Sequence, residues 1–234
     1  MPRRPRITLP GVPLHMIQRG NNRQACFFHE QDNLFYLKWL EEYAQISACK
    51  VHAYALMTNH VHLLLTPGLT HSAGDLMKRL GQRYVQYINR TYRRSGTLWE
   101  GRFRSCMTGE EDYVLSCYRY IELNPVRAGI VKHPAEYGWS SYRANAQGEE
   151  SGLIEPHETY TALGTDHGTR TAVYRELFRN QLDPKRIDQI RHSTNGNFAL
   201  GSPLFQEEIA ERLGRRVTPG RPGRPRGETE RNRS

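Results

Sequence analysis

The sequence predicts an α+β fold in which helices pack on an antiparallel sheet. Apolar patterns follow the order strand, helix, hairpin, helix, strand and helix, which is typical of layered α+β domains. Two of the strand-like runs are separated only by Thr58, Asn59 and His60, so we expect them to form a hairpin. With 234 residues, of which 37% are hydrophobic and 24% charged, the chain can bury an ordinary core.

The first half of the chain contains three predicted strands and one helix. Residues 14–18 form a short strand and lead into a polar turn at residues 20–23. The hairpin strands cover residues 51–57 and 61–65. Between these regions a helix is expected from residue 32 to about residue 49, with an apolar stripe of Leu34, Leu37, Leu40 and Ala44.

The next part adds two helices and a strand. A helix over residues 72–92 has an apolar face made of Leu76, Leu80, Tyr84, Tyr87 and Ile88. A strand is expected over residues 103–107. A third helix begins near Glu110, where neighbouring acidic residues favour the positive helix N-terminus, and runs to Asn124 before a proline.

The composition changes beyond Tyr142. Residues 145–170 are rich in Gly, Thr, Asn and Glu, which indicates a linker, and the last stretch is a low-complexity run of Gly, Arg and Pro that we expect to be disordered when free. Short helical patterns occupy residues 171–180, 184–192 and 203–213. The predicted divisions are a domain of residues 8–145, a linker with a helical appendage over residues 146–213, and a basic tail of residues 214–234.

Positive charge is concentrated at both ends of the chain. Of the net charge of +9, residues 1–6 carry +3 and residues 214–234 carry +5, which leaves +1 for residues 7–213. Arginine-rich arms usually bind polyanions through phosphate neutralisation, although they also act as solubilising tails. The interleaved Pro and Gly favour a nucleic-acid partner.

Cysteine usage and hydropathy predict a cytoplasmic protein. Cys26, Cys49, Cys106 and Cys117 form no CxxC pair, as expected of reduced thiols in the cytosol. No apolar run approaches the roughly twenty residues that a membrane span needs, and the first ten residues lack the apolar centre of a secretory signal. We therefore expect no membrane partner.

A pair of histidines begins the second hairpin strand. Alternate residues of a strand point to the same face, so His60 and His62 direct both imidazoles to one point while Val61 faces the other way. This arrangement predicts a metal-binding pair. The alternative is a pair of hydrogen-bonded polar residues at a hairpin edge.

The third helix supplies partners for the histidines. Residues four apart lie one above the other on a helix, so Tyr120 and Asn124 project together. Tyr113 shares this face and is a rival nucleophile. Alternatively, Tyr120 is a packing residue and Asn124 caps the helix C-terminus. The apolar stripe of the helix contains Val114, Cys117, Tyr118 and Ile121, which makes Tyr118 a core residue.

Several motifs occur in the order found in one family. The run ALMTN followed by His60-Val61-His62 resembles the His-hydrophobic-His (HUH) motif of single-tyrosine transposases that act on single-stranded DNA. Residues 117–129, with the sequence CYRYIELNPVRAG, resemble the catalytic helix of the REP-associated branch (RAYT). Further similar segments are RGNNR at residues 19–23, GTLWEGR at residues 96–102 and WSSY at residues 139–142. The resemblance covers about residues 8–145, and residues 171–227 resemble tails found in part of this branch.

The resemblance implies the ferredoxin-like or RRM-like fold of these transposases. It implies that Tyr120, four positions before the Asn of an Asn-Pro pair, is the nucleophile. It also implies divalent metal ligands at His60, His62 and Asn124, the last of which is Gln in better-known relatives. Imidazole and oxygen ligands suit Mg²⁺ or Mn²⁺, and the histidines favour Mn²⁺.

The implied activity is the cleavage and rejoining of structured single-stranded DNA such as REP-like hairpins. A phenol of pKa about 10 is a poor nucleophile at neutral pH, and a metal that polarises the scissile phosphate offsets this. Attack leaves a 5′-phosphotyrosine and a free 3′-hydroxyl. The hydroxyl of a second strand can then reverse the step without a nucleotide cofactor.

The expected DNA-binding residues are mostly cations near aromatic rings. Residues 71–104 carry a local charge of +6 and several aromatics, which is typical of grooves for single strands. Residues 19–23 contact phosphates or form a simple turn, and the tail resembles either a minor-groove arm or a phosphate tether. The predicted residues are Arg19, Asn21, Asn22, Arg23, Arg83, Arg93, Arg94, Trp99, Arg102, Arg104, Arg221, Arg224 and Arg226.

Two other functions are compatible with the sequence. One is a non-catalytic nucleic-acid-binding protein on a similar fold, and the other is a metal hydrolase in which the histidines activate water while Tyr120 is structural. The sequence also leaves open whether the protein is a monomer or a homodimer, since relatives form dimers that share the catalytic helix. A DNA-acting protein of this kind is expected in the cytoplasm, associated with the nucleoid.

Overall fold

A four-stranded antiparallel sheet organises the chain, and the computed structural model describes residues 6–220. The strands are β1 (Leu14–Arg19), β2 (Cys49–Met57), β3 (His60–Pro67) and β4 (Arg104–Met107), in the order β2-β3-β1-β4. The β2–β3 hairpin forms where it was predicted. In the sheet, Ile17 of β1 pairs with His62 of β3, and Arg19 pairs with His60. The predicted α+β fold is confirmed.

One face of the sheet carries α1 (Glu30–Ile46) and α2 (Ser72–Thr91). The predicted face of α2 is correct, because Leu76, Leu80, Tyr84 and Ile88 are all buried. The predicted stripe of α1 is wrong at Leu34, which is 51% exposed. Its buried face instead contains the aromatic residues Tyr36 and Trp39 together with Leu40 and Ala44 of the predicted stripe.

The opposite face carries α3 (Glu111–Glu122) and the short α4 (Asn124–Arg127). The predicted helix to Asn124 is interrupted at Leu123, because Pro125 cannot continue the hydrogen-bond ladder and instead starts a new turn. Asn124 and Arg127 therefore belong to α4. Tyr118 is fully buried against the sheet, as predicted.

Most of the helices beyond residue 140 pack on this second face, whereas Ile209 belongs to the core on the α1–α2 face. These helices are α5 (Tyr142–Gln147), α6 (Glu158–Thr161), α7 (His167–Glu176), α8 (Pro184–Gly196) and α9 (Pro203–Leu213). The linker predicted over residues 145–170 is wrong, because Tyr160 and Tyr174 pack on Tyr118 and tie α6 and α7 to α3. Helix α8 lies against β4 and β1.

Other sequence expectations concern cysteines and membranes. The four cysteines are buried and free. Among the helices of residues 6–220, none is long and apolar enough to cross a membrane. Most of the predicted basic tail lies outside the described residues, and Arg221, Arg224 and Arg226 are among the residues not described.

Candidate active site

A cleft of about 340 Å³ opens where β1, β3, α3–α4 and α8 meet. The two histidines lie on one wall, because His60 and His62 alternate with the core residue Val61 along β3. Tyr120 and Asn124 lie on the other wall. The tertiary structure therefore brings together the four residues that the sequence singled out as nucleophile and metal ligands.

The two imidazoles are close and have defined hydrogen-bond partners. Their ring centroids are 5.0 Å apart, with the rings inclined at 78°. His60 Nδ1 lies 2.6 Å from the side-chain oxygen of Asn59, and His62 Nδ1 lies 3.0 Å from Nε2 of His15. Because an amide oxygen only accepts, His60 donates from Nδ1 and keeps a lone pair on Nε2.

Burial keeps both histidines neutral. Desolvation, followed by the charge of Arg19, lowers the pKa of His60 to about 4. The same desolvation, together with the neighbouring histidines and arginines, lowers the pKa of His62 well below its ordinary value. Neutral imidazole is the form that binds metals, so burial prepares these side chains as ligands.

Tyr120 meets the histidines within one chain. Its ring centroid lies 5.7 Å from that of His62 and 5.4 Å from that of His15, in edge-on contacts. The side chain is 6% exposed and borders the cleft. The rival Tyr113 lies elsewhere, since the guanidinium of Arg186 covers its ring at 3.7 Å.

Arg127 is a cleft residue that the sequence argument did not single out. Its guanidinium carbon lies 4.2 Å from the Tyr120 ring centroid. Burial lowers the pKa of Arg127 to about 10, which leaves the group charged, and the nearby Tyr120 hydroxyl opposes this shift. Its Nη1 is buried without a hydrogen-bond partner among the described residues. The spacing of Arg127, three residues after Asn124 on one helical face, was the available signal.

Asn124 is oriented differently from the prediction. Its Oδ1 accepts a hydrogen bond from Nη2 of Arg127 at 2.8 Å, and its Nδ2 donates to the carbonyl of Tyr120 at 3.1 Å. The Asn124 oxygen therefore already accepts a hydrogen bond from a cation, which competes with metal ligation at the same atom. Within residues 6–220 no three His, Cys, Asp or Glu side chains form a metal-binding group.

The donor set of the cleft nevertheless fits a divalent cation. Nε2 of His60 and Nε2 of His62 make no hydrogen bond to any residue among 6–220, and both rings are held from their Nδ1 side. Two neutral nitrogen ligands suit Mn²⁺ and leave coordination positions for oxygen ligands of a substrate.

Helix α8 provides cleft residues that are distant in sequence. Arg191, Thr194 and Asn195 line the cleft beside His15. No local pattern links these residues to the motifs at residues 60–62 and 117–129. For His15 the sequence contained only a weak indication of a place in the cleft, since the period of a strand puts it on the same face as Ile17 and Arg19.

A groove extends from the cleft along basic residues. It passes Arg19 and Asn195 and reaches Arg102 and Arg104, after which it widens beside Arg6 and Phe198. Arg104 donates to the side-chain oxygen of Asn195 at 2.8 Å. Three of the predicted DNA-binding arginines, Arg19, Arg102 and Arg104, therefore border adjoining depressions of this groove, which share lining residues.

Other predicted DNA-binding residues lie apart from this groove. Arg83 pairs with Glu42 at 2.9 Å on the outer surface of α1 and α2, and Arg94 lies over Phe28. Trp99 is 5% exposed and stacks on Tyr84, which leaves little ring surface for a base and argues against the predicted DNA contact. Asn22, Arg23 and Arg93 are exposed, and Asn21 is half-buried beside them in the turn after β1.

Comparison with known proteins identifies the family. The IS200-like transposase model matches residues 9–124. A solved REP-associated tyrosine transposase bound to a REP hairpin superposes with a TM-score of 0.55 at 16% identity, covering 67% of this chain and 93% of that one. A candidate transposase from Deinococcus radiodurans aligns with a TM-score of 0.36 at 19% identity, covering 47% and 89%. No curated protein matches.

The REP-associated match agrees with the observed topology. At 16% identity the REP-associated structure shows a common fold, and its share of this chain leaves about a third unmatched. The family match extends from the start of β1 to Asn124 and so includes both histidines and Tyr120. Through residues 9–124, the chain belongs to the family of IS200-like transposases.

Proposed function

We propose that this protein is a metal-dependent transposase that cleaves and rejoins structured single-stranded DNA through a covalent phosphotyrosine at Tyr120. The observation that carries the proposal is the position of Tyr120, whose ring lies 5.7 Å from His62 in a cleft shared with His60. A nucleophile beside two neutral imidazoles is the arrangement that metal-assisted phosphoryl transfer requires.

His60 and His62 would hold the metal through Nε2. A bound Mg²⁺ or Mn²⁺ supplies Lewis acidity to the scissile phosphate. The Tyr120 oxygen forms a bond to phosphorus as its proton leaves to solvent. The 3′-oxygen departs and takes up a proton, which gives a 5′-phosphotyrosine and a free 3′-hydroxyl. The reverse reaction with a second strand rejoins DNA.

Arg127 would position the phosphate. Its charged guanidinium lies against the Tyr120 ring, and its Nη1 retains an unused donor. A guanidinium binds phosphate oxygens through parallel hydrogen bonds. When Arg127 turns to the phosphate, it also frees the Asn124 oxygen, so substrate binding would complete the predicted ligand set.

The basic groove would hold the single strand. Arg19, Arg102 and Arg104 border it, while Glu100 is its acidic member. Cationic grooves bind single strands through phosphate contacts, with a strong dependence on salt. The likeness to a protein bound to a REP hairpin favours hairpin DNA as the substrate.

The proposal requires no exchange of helices between subunits. Tyr120 of α3 meets His62 of the same chain. A monomer therefore contains the residues needed for cleavage, and a homodimer would supply a second copy for rejoining. Such an enzyme would act in the cytoplasm on nucleoid DNA.

The test compares Tyr120→Phe with its matched control Tyr113→Phe. Each protein is incubated with a labelled single-stranded hairpin and Mn²⁺, and covalent adducts are resolved on a denaturing gel. We expect Tyr120→Phe to bind the hairpin without forming an adduct, while Tyr113→Phe retains the adduct. An adduct in Tyr120→Phe would contradict the proposal. Cleavage without any adduct in the unsubstituted protein would favour a hydrolase instead.

A further inference from the structure

A buried chain of hydrogen bonds connects the histidine pair to the C-terminal appendage. His62 Nδ1 lies 3.0 Å from His15 Nε2, and His15 Nδ1 lies 2.9 Å from Thr194 Oγ1. Thr194 Oγ1 in turn lies 2.7 Å from the carbonyl oxygen of Ile190. The chain thus runs from β3 through β1 to α8, and its three side chains are at most 2% exposed.

The donor and the acceptor of each of these hydrogen bonds can be assigned by starting from the end at Ile190. A carbonyl oxygen only accepts, so Thr194 donates its single proton to Ile190. The Thr194 oxygen therefore accepts from His15, which must carry its proton on Nδ1. The thiol of Cys106, 3.2 Å from the same oxygen, can donate to the remaining lone pair without changing this order.

His15 carries only one proton, which makes the order unique. The ring is 1% exposed, and among the described residues its two nitrogens bond only to the side chains of Thr194 and His62, neither of which is an anion that could stabilise a buried imidazolium. With Nδ1 protonated, Nε2 is an acceptor, so His62 must donate from Nδ1. The tautomer of a histidine is set by the hydrogen bond that its second nitrogen makes.

From this order we infer that His15 and Thr194 are positioning residues that hold His62 as the Nδ1–H tautomer, with the Nε2 lone pair directed to the cleft. His60 reaches the same tautomer by a local route, through the side chain of Asn59. The two metal-binding imidazoles are thus prepared by different parts of the chain. Helix α8 acts on the cleft through Thr194, beyond the residues that the family model matches.

The coplanar, edge-to-edge arrangement of the two rings supports this function for His15. The rings of His15 and His62 are 5.2 Å apart and inclined by only 7°, so the hydrogen bond fixes the ring plane as well as the proton. Groups that orient a metal ligand from behind raise metal affinity about 10- to 100-fold. The effect on metal binding rests on the proposed function, whereas the tautomer itself does not.

Histidine tautomers can be read directly in the metal-free protein. Full-length protein labelled with ¹⁵N-histidine gives long-range ¹H–¹⁵N correlations that distinguish protonated from unprotonated ring nitrogens, and His62 is assigned from the spectrum of His62→Gln. We expect a protonated Nδ1 and an unprotonated Nε2 at pH 7.5. A protonated Nε2 on His62 in the unsubstituted protein overturns the inference without any variant having to fold.

Thr194→Val and Thr194→Ser form a matched pair. Valine keeps the shape and removes the acceptor for His15, whereas serine keeps the hydroxyl. We expect Thr194→Val to give a mixture of His62 tautomers and to bind Mn²⁺ about tenfold more weakly by electron paramagnetic resonance titration, while Thr194→Ser matches the unsubstituted protein. An unchanged tautomer and unchanged Mn²⁺ affinity in Thr194→Val would overturn the inference.

A failure of the proposed function can be distinguished from a failure of this inference. If no covalent DNA adduct forms in the unsubstituted protein, the tautomer and the Mn²⁺ affinity can still be measured.

Discussion

Two buried polar sites, one on each face of the sheet, satisfy their polar groups in different ways. On the α1–α2 face, the carboxylate of Asp32 accepts hydrogen bonds from the hydroxyls of Tyr87 and Tyr92 and from two backbone N–H groups. On the α3 face, the Nε2 atoms of His60 and His62 and the Nη1 of Arg127 face a cleft without protein partners among the described residues. A polar group that is fully paired supports the fold, whereas one held from behind and left open on one side is prepared for a ligand.

The largest expected effect concerns the cleft histidines, whose Nε2 atoms make no hydrogen bond to the described residues. His60→Ala removes one of the two proposed metal ligands and should reduce Mn²⁺-dependent adduct formation at least about 100-fold, because a single imidazole would not hold the ion. The thermal midpoint should change little, since His60 borders the cleft. Single-turnover assays over a range of Mn²⁺ concentrations measure this. Full activity at saturating Mn²⁺ would show that His60 is not a ligand.

Glu122 lies on α3, the helix that also carries Tyr120, and its buried carboxyl is hydrogen-bonded within the protein. Its titration tests how such a group affects the free energy of unfolding. Burial raises the pKa of this carboxyl to about 7, against hydrogen bonds from Ser141, Asn145 and Tyr174. The folded state therefore binds a proton that the unfolded state releases between about pH 4.5 and pH 7. Stability should fall as pH rises through this window, by about 3 kcal/mol, and then level off.

Urea denaturation between pH 5 and pH 8 measures this dependence. Glu122→Gln cannot titrate, so its stability should vary less across the same window. An equal pH dependence in both proteins would assign the titration to another group.

Asp32→Asn should lower the free energy of unfolding, because it disrupts the hydrogen-bonded cluster around Asp32 on the α1–α2 face. It replaces one acceptor oxygen by an amide that faces donors, which costs about 2 kcal/mol for a buried site. The affinity for Mn²⁺ should remain unchanged, because Asp32 lies across the sheet from the cleft. Denaturant midpoints and Mn²⁺ titration of the same sample separate the two effects. Weaker Mn²⁺ binding would show that the faces are coupled.

The smallest effects distinguish two predicted DNA-binding arginines. Arg102 borders the groove, while Arg83 is paired with Glu42 away from it. Arg102→Ala should weaken hairpin binding several-fold, and the slope of log affinity against log salt concentration should fall by about the amount of one phosphate contact. Arg83→Ala should leave hairpin binding unchanged. Fluorescence anisotropy at several salt concentrations compares the two. A larger loss in Arg83→Ala would place the DNA on the α1–α2 face.

Much of the fold was accessible from local patterns. The hairpin, the buried face of α2 and the shared face of His60 and His62 each follow from a period of two or 3.6 residues. Predictions failed where packing by distant residues decided the outcome. Leu34 lies on the exposed side of α1 because larger aromatic side chains occupy the buried side. Residues 145–170 appeared to be a linker because Tyr160 is the single tyrosine among many Gly, Thr, Asn and Glu residues, so the segment shows no apolar period.

The amino-acid sequence alone determined which side chains share a face, and so placed His60 with His62 and Tyr120 with Asn124. The tertiary structure alone decided which faces meet, and whether each polar atom is free or already bonded. It turned the Asn124 oxygen to Arg127 and brought Thr194 to His15 across 179 positions of the chain. The reason is physical: side-chain periodicity is a property of neighbouring residues, whereas the partner of a buried polar group is chosen by the packing of the whole core.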